Sequence, residues 1–370
     1  MKIALVSPYD YAYPGGVVNH ISHLYHQFTK MGHDVKIITP CSSPDVSERG
    51  QDLITLGKPF PIPSGGSIAR STLSPILSSS IGAILDREGF DIIHLHEPLG
   101  STLPLTALRV SRSVNVATFH ACHREPRGYQ MMKPFVMRWF KKLDGKIAVS
   151  KPAMRFISKH FPGDYQIIPN GIDLEHFSAQ VPPIERFCDG KSNILFVGRL
   201  EKRKGLTYLL SAYKKVKKEL PSSRLIVVGT GRRQKYEKLV TTENLEDVVF
   251  TGYVSNEDLP SYYHTADLFC APATGEESFG IVLLEAMAAA KPIVASAIEG
   301  YASVVSHGVE GLMVPPQDEP ALATAIIHLL SNEPLRQEMG ARGRLKAEEC
   351  SWPNVARRVN EYYVSLINGS

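Results

Sequence analysis

The sequence predicts an α/β protein built from two doubly wound domains, and three observations carry that prediction. Short apolar runs alternate with helix-period segments along most of the 370 residues, the pattern of mostly parallel sheets covered by helices. The alternation pauses at Asn170-Gly171-Ile172-Asp173 and Val181-Pro182-Pro183 and restarts at Asn193. A chain of this length is also too long for one core of ordinary size. Residues 1–170 and 171–350 are therefore expected as two domains, with a helical segment over 351–370. The cleft between two such domains is the default place for a ligand.

Composition narrows the class. A hydrophobic content of 43% and a charged content of 21% belong to a soluble globular protein. Cys41, Cys122, Cys188, Cys270 and Cys350 are scattered and lack C-x-x-C spacing, which argues against a disulfide framework or zinc site and for a reducing compartment. Met1-Lys2-Ile3-Ala4-Leu5-Val6 reads as a strand, and no apolar run reaches the length of a signal peptide or a span, so a cytoplasmic location is expected. Residues 1–170 hold 19 Lys and Arg against 12 Asp and Glu, whereas 171–370 hold 22 against 25. A basic first half suits an anionic surface, membrane or nucleic acid, although surplus charge also serves solubility.

In the first half, strand Lys2–Ser7 leads through Tyr9 and Pro14-Gly15-Gly16-Val17 into a helix ending near Met31. Two glycines between strand and helix let backbone approach a ligand closely. They are not the G-x-G-x-x-G dinucleotide fingerprint, which disfavours a nicotinamide oxidoreductase. Asp34–Pro40 is a strand, and the Ser-, Pro- and Gly-rich segment 41–75, containing Arg70, reads as a long functional connection. A strand from Asp91 ends at His94-Leu95-His96, a weak metal pair with no further ligand evident. Val114–Phe119 ends at His120, a polar residue at a strand's carboxyl end, where open α/β sheets place ligands; a structural histidine is equally compatible. Residues 122–146 mix seven cations with bulky apolar residues, a composition shared by membrane-surface helices and by solvated helices packing one aromatic face. Strands at Lys146–Ser150 and Tyr165–Pro169 close this half.

The second half repeats the scheme. Strand Asn193–Val197 leads into Gly198-Arg199-Leu200-Glu201-Lys202-Arg203-Lys204-Gly205 and a helix over Leu206–Leu220. Strands at Arg224–Val228, Val248–Tyr253, Leu268–Ala271, Pro292–Ser296 and Gly311–Val314 follow, with helices between and after them. The stretch that organises the chain is Gly275-Glu276-Glu277-Ser278-Phe279-Gly280-Ile281-Val282-Leu283-Leu284-Glu285-Ala286. It reads as a loop delivering a helix that begins near Ser278 or Phe279, whose unpaired first amides suit a phosphate. Glu277 and Glu285, eight residues apart, would then lie about 12 Å apart along a helix. Two carboxylates flanking an anion site match an elongated ligand with hydroxyls at both ends; alone, they also fit an ordinary surface helix.

In order and spacing, Pro14–Val17, Ser67-Ile68-Ala69-Arg70, His94–Pro98, Ala117–His120, Val197-Gly198-Arg199, Arg203-Lys204-Gly205 and Glu277–Ala286 resemble retaining glycosyltransferases of family 4. The resemblance covers nearly the whole chain. It implies the GT-B fold, two Rossmann-like domains facing across a cleft, with the 351–370 helix returning to the first domain. It implies that Arg199 and Lys204 stabilise a departing nucleoside diphosphate, with Gly16 offering a backbone amide. Glu277 contacts sugar hydroxyls, Glu285 the ribose, and His120 the reacting sugar. Ser278, Phe279, Gly280 and Ile281 line the diphosphate, and backbone at Val254 meets the base. Tyr9, Arg70 and His120 serve the acceptor. No side-chain nucleophile stands out.

Within the family the likeness is to enzymes that mannosylate phosphatidyl-myo-inositol. It implies transfer of a hexose, mannose from GDP-mannose, to a lipid headgroup at the inner face of the cell membrane, with peripheral attachment, no metal or other cofactor and no nucleic-acid partner. Val18 stands where those enzymes carry a headgroup-associated glutamine, and Leu77–Gly82 replaces their basic cluster. A UDP-sugar donor, a diacylglycerol or soluble sugar acceptor, and a sugar-nucleotide epimerase are the alternatives. No Asp-x-Asp metal motif is apparent; Asp173-Leu174-Glu175 is the nearest.

Overall fold

The computed structural model describes residues 1–13, 15–43, 52–64, 67–72, 77–120, 127–177, 181–275 and 277–369. The chain divides into two compact units, Met1–Gly171 with Trp352–Ser370, and Ile172–Ser351.

In the first unit the apolar runs form β1 (Lys2–Val6), β2 (Asp34–Thr39) and β3 (Leu53–Thr55). A hairpin of β4 (Phe60–Ser64) and β5 (Ser67–Ser71) comes next, then β6 (Ile92–His96), β7 (Val114–Phe119), β8 (Gly145–Ala148) and β9 (Gln166–Ile167). Seven strands join in the order β3-β2-β1-β6-β7-β8-β9, all parallel. Ile3, Ala4, Leu5 and Val6 are all fully buried, because helices cover both faces and leave no solvent side for alternation. Ala4, Val6, Ile93 and Leu95 pack with Leu103 and Phe161 on one face. Ile3, Leu5 and Ile92 pack with Ile21, Leu24, Val355 and Val359 on the other. Each of the Val, Leu, Ile and Phe side chains among these contributes roughly 1.5–3 kcal/mol of burial.

The second unit repeats this with β10 (Ser192–Val197), β11 (Ser223–Val228), β12 (Val248–Gly252), β13 (Leu268–Ala271), β14 (Ile293–Ser296) and β15 (Gly311–Val314). Their order is β12-β11-β10-β13-β14-β15, again parallel. Leu195 faces Phe269, Leu283 and Met287, while its neighbours Ile194 and Phe196 face Leu209, Tyr213 and Ile326. In both sheets the chain winds outward one way from a first strand and then the other. The reversal falls between β1 and β6 and between β10 and β13, and ligands in such sheets bind beyond the carboxyl ends at that switch point.

The helix Trp352–Asn368 belongs to the first unit, where Val355, Val359 and Tyr363 enter its core. Asn360 Oδ1 meets His33 Nε2 at 2.9 Å, and Arg358 donates to the Ile167 carbonyl at 2.8 Å. Tyr363 Oη lies 2.6 Å from His94 Nδ1.

Two expectations are corrected. Segment 41–75 is not one long connection: it supplies edge strand β3 and the β4–β5 hairpin, paired Phe60↔Ser71 to Ser64↔Ser67. Pro61 and Pro63 mask the strand pattern, and proline is tolerated there because a hairpin edge needs fewer donors. The second helix of interest starts at Ile281, not at Ser278 or Phe279. Gly280 adopts φ 94°, a left-handed conformation that a helix cannot include. Only the second half of the Glu277–Glu285 interval is helical, so the 12 Å advance does not apply.

Candidate active site

Beyond β10 the chain turns through a short 3₁₀ segment, Lys202–Lys204, before the helix Leu206–Glu219. Gly205 ends that segment at φ 74°, and a Cβ there would overlap the Pro272 carbonyl oxygen. The absence of a side chain lets the turn seat against the loop after β13, where the Thr274 amide donates to the Arg203 carbonyl at 2.8 Å.

This contact joins the charged candidates into one chain. Arg199 Nη1 lies 3.1 Å from Glu201 Oε1, and Glu201 Oε2 lies 3.0 Å from Arg203 Nε. Arg203 Nη1 reaches Glu277 Oε1 at 2.5 Å, and Lys204 Nζ reaches the same oxygen at 2.7 Å. Glu277 and Lys204 side chains are 10% and 14% exposed, Arg199 49%. The cluster thus presents three cations against two carboxylates, with Arg199 the group most open to solvent, so an incoming anion meets net positive charge.

The rest of the loop is anchored rather than charged. Phe279 is buried with Leu283 and Tyr301, Ser278 is half-buried, and Ile281 is 37% exposed at the helix start. Gly280 offers the helix Ile281–Ala288 no side-chain cap, and the Leu283 amide donates to the Gly280 carbonyl at 2.9 Å. Glu285, half-buried one turn in, accepts from Tyr263 Oη at 2.7 Å. Burial pushes its carboxyl up, opposed by that hydrogen bond and by the charges of His176 and Lys204. Val254, just after β12, packs half-buried against the same core.

The first unit gathers Tyr9, Gly16, Arg70 and His120 by other means. Tyr9 bridges Ser71 on β5, and the Asp10 amide donates to the Arg70 carbonyl at 2.9 Å. Arg70 lies 3.9 Å over the Tyr13 ring. Burial, with the Glu97 carboxylate second, raises the Tyr9 phenol. Glu97 Oε1 in turn accepts from the His120 amide at 2.5 Å. Gly16 opens the helix Gly16–Lys30 with free space where a Cβ would stand. One turn later His20 lies edge-on to His120, ring centroids 4.8 Å apart.

The reading of His94-x-His96 as lacking a further ligand is also corrected. His20, His96 and His120 place ring nitrogens within 4.8 Å of one another. His94 instead bonds Thr118 Oγ1 at 2.6 Å and Tyr363. Burial holds all four imidazoles low, His20 at about 4 and His94 at about 3, with His96 and His120 well below the ordinary value. Asp173, in the Asp-x-Glu tripeptide, caps a turn by accepting from the Glu175 and His176 amides.

Within the second unit Glu201, Arg203 and Tyr263, and within the first unit His20 and Glu97, contact the candidates although the sequence reading gave them no role. Arg203 could have been found in the Lys/Arg-rich turn. His20 stands among Ile21, Leu24 and Phe28 at core spacing, a polar residue where an apolar one belongs. Pro14, Glu276, Cys122, Arg124 and Glu125 lie outside the described residues.

Family models match both halves: Glycosyltransferase Family 4 over residues 14–176 and Glycosyl transferases group 1 over residues 180–346. A phosphatidyl-myo-inositol mannosyltransferase of Mycobacterium leprae is 35% identical over 367 residues, 99% of this chain and 97% of the relative. The enzyme of that name from Mycolicibacterium smegmatis is 32% identical over 371 residues, 99% and 94%. A glycosyltransferase structure from Rickettsia africae superposes with TM-score 0.83 at 19% identity, covering 100% of this chain and 99% of that one. The two parallel-sheet units have the GT-B architecture, and the chain belongs to glycosyltransferase family 4.

Proposed function

We propose that this glycosyltransferase moves a mannosyl residue from GDP-mannose to the inositol headgroup of a membrane phospholipid, with retention at the anomeric carbon. The observation that carries the reading is the Arg199–Glu201–Arg203–Glu277–Lys204 chain at the switch point of the second sheet. A diphosphate in a partly desolvated site requires such compensation. The relatives named phosphatidyl-myo-inositol mannosyltransferase supply the sugar and acceptor.

In this reading Arg199 grips the diphosphate through its fork and Lys204 neutralises it as a point charge. The Ile281 helix start and Gly16 add backbone amides. Glu277 binds sugar hydroxyls, Glu285 the ribose, and backbone at Val254 the base. The C1–O bond to phosphate breaks as the acceptor oxygen bonds C1 on the same face, and the acceptor proton passes to the departing phosphate. Lys204 and Arg199 stabilise the charge that develops on that phosphate. These two cations take the part a divalent ion would play, so no metal or other cofactor is required.

Tyr9, Arg70 and His120 face the acceptor and sugar. Peripheral attachment to the inner face of an anionic membrane rests on the helix Arg127–Phe140. It buries Val136 and Phe140 but leaves Phe135 77% exposed, beside exposed Arg138 and Lys141. Among the described residues no helix is long and apolar enough to cross a membrane.

The test is thermal shift with GDP-mannose, UDP-glucose and UDP-N-acetylglucosamine, paired with product analysis on vesicles containing phosphatidylinositol. Stabilisation by GDP-mannose with mannosyl lipid formed is expected. Preference for a UDP-sugar, or transfer only to other acceptors, retires the inositol reading. Donor conversion without any acceptor reveals an epimerase.

A further inference from the structure

Two ring nitrogens in the histidine cluster of the first unit share one proton. His120 Nε2 lies 3.0 Å from His96 Nδ1, and His96 Nε2 is buried with no hydrogen-bond partner among the described residues. Burial of both rings among His20 and His94 keeps them neutral, so each carries a single N–H.

Only two arrangements satisfy the shared bond. If His120 donates from Nε2, the His96 proton must sit on Nε2, leaving a buried N–H unpaired. If His96 donates from Nδ1, its Nε2 is a bare lone pair, and His120 carries its proton on Nδ1. By analogy with backbone groups, a buried orphan donor is the rarer and more strongly avoided of the two. His120 is half-buried, and its Nδ1 has no hydrogen-bond partner among the described residues.

We propose that His96 is a positioning residue that fixes His120 as the Nδ1–H tautomer, so that His120 presents a hydrogen-bond donor to an oxygen of the transferred sugar. The inference rests on the reading of His120 as the residue beside that sugar. Two further contacts hold the geometry: Glu97 Oε1 takes the His120 amide, and the His20 ring, bonded through Nδ1 to Asn170 Oδ1 at 3.0 Å, stands edge-on to His120. A metal ion is the rival occupant of the cluster. Its nitrogens span up to 4.8 Å, against ~3.3 Å between ligands of a tetrahedral ion with bonds of 2.0–2.1 Å, which favours the hydrogen-bonded arrangement.

The tautomer is read directly on the ligand-free wild-type protein, with histidine labelled in both ring nitrogens, by long-range proton–nitrogen correlation NMR. Protonated Nδ1 on both His96 and His120 is expected; a protonated Nε2 on His120 overturns the proposal. Kinetics supply a second arm. His96→Asn keeps a side-chain amide donor near the Nδ1 position and is expected to hold kcat within about threefold. His96→Leu removes the donor, and kcat falls about tenfold or more with donor KM little changed, the scale of one lost hydrogen bond. Equal losses in both variants, or none in His96→Leu, overturn it. So does stoichiometric uptake of zinc or cobalt that disappears in His96→Leu. If the wild-type enzyme transfers no sugar at all, the functional reading fails while the NMR result still decides the tautomer.

Discussion

Lys204 Nζ and Glu277 Oε1 stand 2.7 Å apart, joining the turn after β10 to the loop after β13. The same carboxylate oxygen also holds Arg203. Losing Lys204 therefore leaves Glu277 still paired, which spares the protein the penalty of an isolated buried charge. Lys204→Ala is expected to lower kcat by about 10²–10³-fold while the melting temperature stays near that of wild type. Steady-state kinetics beside a thermal melt check this, and a near-normal rate removes Lys204 from the site.

Gly300 fixes the other end of this arrangement. A Cβ at that position would overlap the Glu277 carbonyl oxygen, so Gly300→Ala must displace the loop that carries Glu277. Both readouts are expected to suffer: turnover falls at least tenfold, because small misplacements of a positioned group are costly, and the melting temperature drops. A variant with unchanged kcat shows that the loop position is not critical.

The second-unit candidates other than Val254 were legible in the sequence because they lie on two short linear segments, 198–205 and 275–286, each following an apolar strand. The continuous apolar runs likewise announced buried parallel strands. The hairpin was hidden by Pro61 and Pro63, and the late helix start by the backbone conformation of Gly280, which composition does not report. The histidine cluster had no local signature. His20, His96 and His120 come from three separate segments, and only sheet order brings them together. Arg203 was visible, but its partner Glu277 is 74 residues away.

Glu285 tests the donor side separately. Its carboxylate accepts from Tyr263 Oη, and Glu285→Gln keeps an acceptor for that hydroxyl while removing the charge proposed to bind ribose. On that proposal ground state and transition state share the contact, so its loss is expected to raise the donor KM about tenfold with kcat changed less than threefold. A selective loss of kcat instead places Glu285 at the chemistry.

The buried histidines make the first unit acid-sensitive, and the sign follows from their depressed values. His20 titrates at about 4 and His94 at about 3 in the folded protein, against about 6.5 when unfolded. Between those limits the unfolded chain binds more protons, so stability is complete above the unfolded value and is lost as pH falls toward 4. By pH 5 each histidine withdraws about 2 kcal/mol. Trp139 and Trp352 are the protein's two tryptophans and both lie in the first unit, so denaturant titration followed by tryptophan fluorescence reports that unit. Unfolding free energy is expected to drop between pH 7 and pH 5. In His94→Asn, which lacks the titrating ring but retains polar atoms toward Thr118 and Tyr363, the drop should shrink by about 2 kcal/mol. An identical slope in wild type and variant shows that His94 does not titrate differently in the folded and unfolded states.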